Sequence, residues 1–153
     1  MMEIMRILAS AFSIFVFISL AYSQDLPDGP GKDVVVRICG ACHDAGVVAQ
    51  YHNSKDDWQP VVDDMRGRGA DGSDADFKLI VDYLGHYFGP TVFVNKAPAT
   101  ELESELGLTS AEAAAIVKYR QANGDFKDMD GLRKVPGLDM KKLEPIQSRI
   151  LFK

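Results

Sequence analysis

Both cysteines of this 153-residue chain, and one of its three histidines, fall within five residues, Cys39-Gly40-Ala41-Cys42-His43. Two cysteines are too few for a disulfide scaffold, so the pair has to be read by its spacing. A thioredoxin-like redox pair needs a strand-to-helix turn in a βαβ setting, and no alternating strand precedes Cys39. A zinc site needs further ligands grouped nearby. No third cysteine exists, and His52 and His86 stand apart. A plain disulfide leaves His43 without a role. The pattern C-x-x-C-H instead predicts covalent attachment of one haem c. Two thiols on one turn reach the two vinyl groups of a porphyrin, and the adjacent imidazole faces the iron.

Iron held by one histidine calls for a second ligand if it carries electrons, or an open face if it binds small molecules. Met65 is the candidate ligand. It closes the series Trp58, Val61, Val62, Met65, which is one face of a helix, and it precedes Gly67-Arg68-Gly69. The same spacing also suits a plain core methionine, and His52 is the alternative ligand. Ser54 followed by Lys55-Asp56-Asp57 predicts the start of this helix, and Ser73 followed by Asp74 and Asp76 the start of the next. That second helix carries the stripe Phe77, Ile80, Val81, Leu84, Phe88 and ends at Gly89-Pro90. An earlier amphipathic segment, about 31–38, leads into the cysteines.

Residues 31–90 resemble small class I-like cytochrome c domains of the kind that accompany periplasmic quinoprotein and molybdenum dehydrogenases. The matching residues are Cys39 to His43, Trp58, Val62, Met65, Gly69-Ala70, Ile80, Tyr83-Leu84 and Phe88-Gly89. The resemblance implies thioether bonds at Cys39 and Cys42, with His43 as proximal and Met65 as distal ligand. It implies single-electron transfer to a redox partner such as a periplasmic dehydrogenase. No nucleophile–base pair is visible, so no catalysis is expected.

Upstream, Arg6 is followed by an uncharged run, Ile7 to Tyr22, that ends in Ala21-Tyr22-Ser23. A basic start, a short apolar stretch and a small-x-small end predict a signal peptide at 1–23, cut before Gln24, and an exported or periplasmic protein. The run is shorter than a spanning helix requires, so no membrane span is expected after the cut. An uncleaved anchor is the other reading.

From Val92 the pattern changes. Helical segments at Glu101–Leu106 and Ala111–Asn123 flank Gly107-Leu108-Thr109, and segments at Met129–Val135 and Met140–Leu151 flank Pro136-Gly137-Leu138-Asp139. This internal repeat resembles the tandem helix-hairpin-helix domain of ComEA-type proteins. The resemblance is carried by Val94-Asn95-Lys96-Ala97, Ala113–Val117, Tyr119-Arg120, Asn123–Phe126 and Leu132–Leu138. It implies sequence-independent DNA binding, in which hairpin N–H groups meet phosphates. Two features oppose that. The second glycine of each turn is replaced, by Thr109 and Asp139, and residues 92–153 carry ten Lys/Arg against nine Asp/Glu. A packing or docking module is therefore the competing reading. Residues 24–91 carry twelve acids and six bases, a face suited to a basic partner or simply to solvent.

These observations predict an all-α chain: a monohaem cytochrome c domain at 24–91, then a tandem helix-hairpin-helix domain at 92–153. The expected function is exported electron transfer. The alternative is a ComEA-like DNA-binding protein with haem as a structural or sensing group.

Overall fold

A computed structural model describes residues 26–153. The leader predicted at 1–23 and its cut site lie outside the described residues. No helix among the described residues is long and apolar enough to cross a membrane.

Three helices build the first half: α1 (Lys32–Cys39), α2 (Lys55–Gly67) and α3 (Asp74–Tyr87). Their starts follow the expected chemistry. The Ser54 hydroxyl accepts from the Asp57 N–H, and Ser73 forms a reciprocal capping box with Asp76. α3 is central, with Phe77, Ile80, Val81, Tyr83 and Leu84 buried against α1 and α2. Arg37 of α1 pairs with Asp76 at 2.8 Å. The Trp58 indole N–H crosses from α2 to donate to the Phe88 carbonyl at 3.1 Å. Tyr83 and Tyr87 donate their hydroxyls to the Pro27 and Asp28 carbonyls, which pins the segment before α1 onto α3.

The second half holds α4 (Ala99–Leu106), α5 (Ser110–Asn123), α6 (Met129–Leu132) and α7 (Met140–Leu143). Its two ends meet in a parallel pair, β1 (Val92–Phe93) with β2 (Ile150–Leu151). Leu102, Leu106, Ile116, Leu132, Leu143 and Ile146 are all essentially inaccessible. Burial of each such side chain contributes roughly 1.5–3 kcal/mol before entropy is counted.

Two expected helices are shorter than their patterns. The segment from Met129 is α-helical only to Leu132, and Pro136 ends the turn that follows. The segment from Met140 leaves the α-helix at Leu143 and tightens into a 3-10 turn over Glu144–Arg149. Pro145 lacks an N–H for a continuing ladder, and Ile146 adopts φ −114°, ψ 18°. Ile150 and Leu151 are thereby freed to pair with β1.

The all-α expectation with a C-terminal helix-hairpin-helix arrangement stands. The expected cytochrome c-like haem domain does not. Metal ligation requires donors that converge, and among the described residues no group of three or more His, Cys, Asp or Glu could hold a metal ion. His43 is exposed, and its Nδ1 faces the Asp44 carbonyl at 3.0 Å.

Candidate functional site

Two places in the fold bring chemistry-bearing residues together. The first is a cavity of about 620 Å³ enclosed by α1, α2, α3 and the 3-10 turn Ala45–Gln50. Cys39, Cys42, His43 and Met65 all line it, so the four residues singled out in the sequence share one wall space. The rest of the lining is mostly apolar, with Trp58, Val62, Phe77, Ile80 and Leu84 behind it. Both cysteines are free thiols. Cys39 is half-buried and Cys42 exposed. Burial pushes the Cys39 thiol pKa up, which disfavours the reactive thiolate. Arg68, the cationic side chain at the cavity, is paired with Asp64 at 2.7 Å. His52 does not line the cavity. It is exposed, with Nδ1 3.3 Å from the Gly89 carbonyl oxygen.

The second place is the pair of hairpin turns. Gly107 at φ +65° and Gly137 at φ +79° end α4 and the α6 segment in the left-handed region. A Cβ on either would meet nothing within 4 Å, so backbone conformation, not crowding, calls for glycine there. Thr109 and Asp139 follow as N-caps of α5 and α7. Each replaced glycine of the sequence pattern has thus become a helix cap.

Glu112 joins the two turns. It is 6% exposed, and one carboxylate oxygen accepts from the Thr109 N–H and hydroxyl, both at 2.8 Å, and from Lys142 Nζ at 2.7 Å. The other accepts from the Asp139 N–H at 3.2 Å. The Lys142 ammonium and then the Thr109 N–H favour the charged form and bring the Glu112 pKa down to about 2. Thr109-x-x-Glu112 is a capping-box signature, so the local half of this role was legible in sequence. Its reach to Asp139 and Lys142, some thirty residues away, was not.

Around these turns polar side chains brace the backbone. Asn95 donates to the Phe126 and Phe152 carbonyls and accepts from the Phe126 N–H at 2.8 Å. Arg120 donates to the Val94 and Ala97 carbonyls. Tyr119 and Phe126 stack with centroids 5.6 Å apart. Arg149, with no exposed surface, donates to the carbonyls of Gly85, His86, Pro90 and Glu105. No short-range signal announces Arg149, because its partners lie in α3, at Pro90 just beyond it, and in α4.

Residues 89–151 match the helix-hairpin-helix motif family. The chain is similar to ComE operon protein 1 of Bacillus subtilis, 37% identical over 65 residues, covering 42% of this chain and 32% of that protein. It is also similar to an uncharacterized protein of Haemophilus influenzae, 37% identical over 60 residues, covering 39% of this chain and 54% of that one. The chain thus spans about a third of the first relative and about half of the second. No solved structure matches.

These findings correct the expected function. The matched family is the hairpin motif. With no convergent metal-ligand group among the described residues, the haem c cofactor, the electron-carrier role and the redox partner such as a periplasmic dehydrogenase are set aside.

Proposed function

We propose that this chain is a nucleic-acid-contacting protein that holds the phosphodiester backbone through its C-terminal hairpins, residues 92–153, without reading sequence. The observation that carries this is the pair of glycine turns, each leading into a capped helix, within the stretch that matches the helix-hairpin-helix motif. Similarity to ComE operon protein 1 supports it. So does the resemblance to ComEA-type proteins. Contact of this kind falls with salt because bound cations release counterions, and it is weak because few cations are available. A gel-shift titration of the full chain with a random-sequence duplex tests it. A shift at low salt that fades at physiological salt is expected, and no shift at low salt overturns the reading. Action outside the cytoplasm belongs to the same proposal and rests on Arg6, the run 7–22 and Ala21-Tyr22-Ser23. N-terminal sequencing of secreted protein should then begin at Gln24.

A second reading concerns residues 24–91. That Cys39, Cys42, His43 and Met65 all line one mostly apolar cavity favours a small-molecule pocket there. Saturable binding of the neutral dye Nile red, lost in Val62→Trp, is the expected result. Unchanged binding in that variant sinks it.

A further inference from the structure

The two hairpins are not equivalent in charge. The first, residues 99–117, carries Glu101, Glu103, Glu105 and Glu112 and no Lys, Arg or His. The second, residues 127–149, holds six cations, Lys127, Arg133, Lys134, Lys141, Lys142 and Arg149, against four acids, Asp128, Asp130, Asp139 and Glu144. Several of these are committed within the fold. Arg149 is buried under four carbonyls. Arg133 pairs with Glu144 at 2.7 Å and Asp130 at 3.4 Å. Lys142 is spent on Glu112, a carboxylate of the other hairpin, at 2.7 Å. Lys127, Lys134 and Lys141 are exposed and make no ion pair among the described residues, and of these Lys134 and Lys141 flank the turn that contains Gly137.

Resting on the nucleic-acid reading above, we infer that contact is one-sided: Lys134 and Lys141 of the second hairpin meet the phosphates, while the first hairpin is a brace that holds that turn through Glu112. Of the four carboxylates around the first turn, Glu101 and Glu103 make no ion pair among the described residues and repel a polyanion, whereas Glu105 lies 3.9 Å from Arg149 and Glu112 holds Lys142. The carboxylate that binds Lys142 removes that cation from the contact set and at the same time fixes the Asp139 N–H. Two phosphate contacts are few, which predicts a shallow dependence of affinity on salt.

Fluorescence anisotropy of the full chain with a labelled random-sequence duplex, titrated at several salt concentrations, tests the assignment. Each phosphate contact contributes about 0.9 to the slope of log affinity against log salt. Lys134→Gln and Lys141→Gln should each lower the slope by about that amount, and the double variant should abolish most of it. Lys142→Gln, at the internal pair, and Lys118→Gln, on the exposed side of α5, should leave it unchanged. A fall in slope for Lys142→Gln or Lys118→Gln equal to that for Lys141→Gln overturns the one-sided contact while leaving nucleic-acid binding intact. A wild-type chain that shows no salt-sensitive binding, alongside variants that show none, overturns the nucleic-acid reading itself and this assignment with it.

Discussion

The two halves of the chain solve the same folding problem in opposite ways. Residues 26–88 use helices of 13 and 14 residues, α2 and α3, as walls around a cavity of about 620 Å³. Residues 92–153 bury Leu102, Leu106, Ile116, Leu132, Leu143 and Ile146 almost fully, yet two of their helices have only four residues each. Helices that short do not persist on their own. The second half compensates with internal polar staples: Asn95, Arg120, Glu112 and Arg149 each bind backbone at points distant in sequence. In the first half the acids cap helices or pair near the surface, as Asp76 does with Arg37 and Asp82 with Lys55 and Lys78. Around the four-residue helices α6 and α7, side chains from α5 and from the start of this half supply backbone partners that longer helices would supply themselves.

The contrast can be broken most directly at Arg149, the side chain that ties α3 to the second half. Arg149→Met leaves several buried carbonyls without a donor and should cost about 3–5 kcal/mol in urea denaturation. It should also split a single transition into two. One unaltered transition would mean that the halves are joined elsewhere. Next in size, Leu132→Ala in the closed core should cost about 3 kcal/mol, whereas Val62→Ala on the cavity wall should cost only about 1 kcal/mol. Val62 already faces open volume, so truncation there removes fewer contacts. Equal losses at the two sites would erase the distinction between closed and hollow cores.

The staple at Glu112 predicts an acid dependence of the second half, beside that which the lowered Asp76 and Asp82 give the first. Its folded pKa, about 2, is below the ordinary 4.5. The stabilisation is therefore complete above the ordinary value and is lost as pH falls from there through about 2. After discounting for solvent screening this is roughly 2 kcal/mol. Denaturation curves between pH 5 and pH 2 should show it, and Glu112→Gln should flatten it. The smallest effect is expected at the turn. Gly137→Ala places a side chain in open space but keeps φ +79°, for a cost of about 1 kcal/mol. A gain in thermal stability would show that the turn relaxes to another conformation.

Much of this fold is legible residue by residue. Ser54 and Ser73 start their helices, Gly89-Pro90 follows α3, and Gly107 and Gly137 mark the two turns, because caps and left-handed positions are local requirements. Trp58, Val61, Val62 and Met65 share one helix face by spacing, and all four line the cavity that Cys39, Cys42 and His43 also line. The pattern Cys39 to His43 fixes spacing over five residues and does not fix whether donors from the rest of the chain converge on a metal ion. The truncated α7 was missed because the apolar positions of 140–151 keep helical spacing even where Pro145 breaks the ladder.

By itself, the sequence determined the helical character, the positions of the helix starts and turns, and the imbalance of charge between the two hairpins. Periodicity, capping and net charge act over a few residues, so they can be read directly. Only the tertiary structure decided which charges are available. Lys142 and Lys141 are neighbours in the chain, but one is spent on Glu112 and the other faces solvent. Arg149 looks like any surface arginine until α3 and α4 bring their carbonyls around it. Electrostatic pairing depends on distance in space, and folding sets that distance independently of separation along the chain.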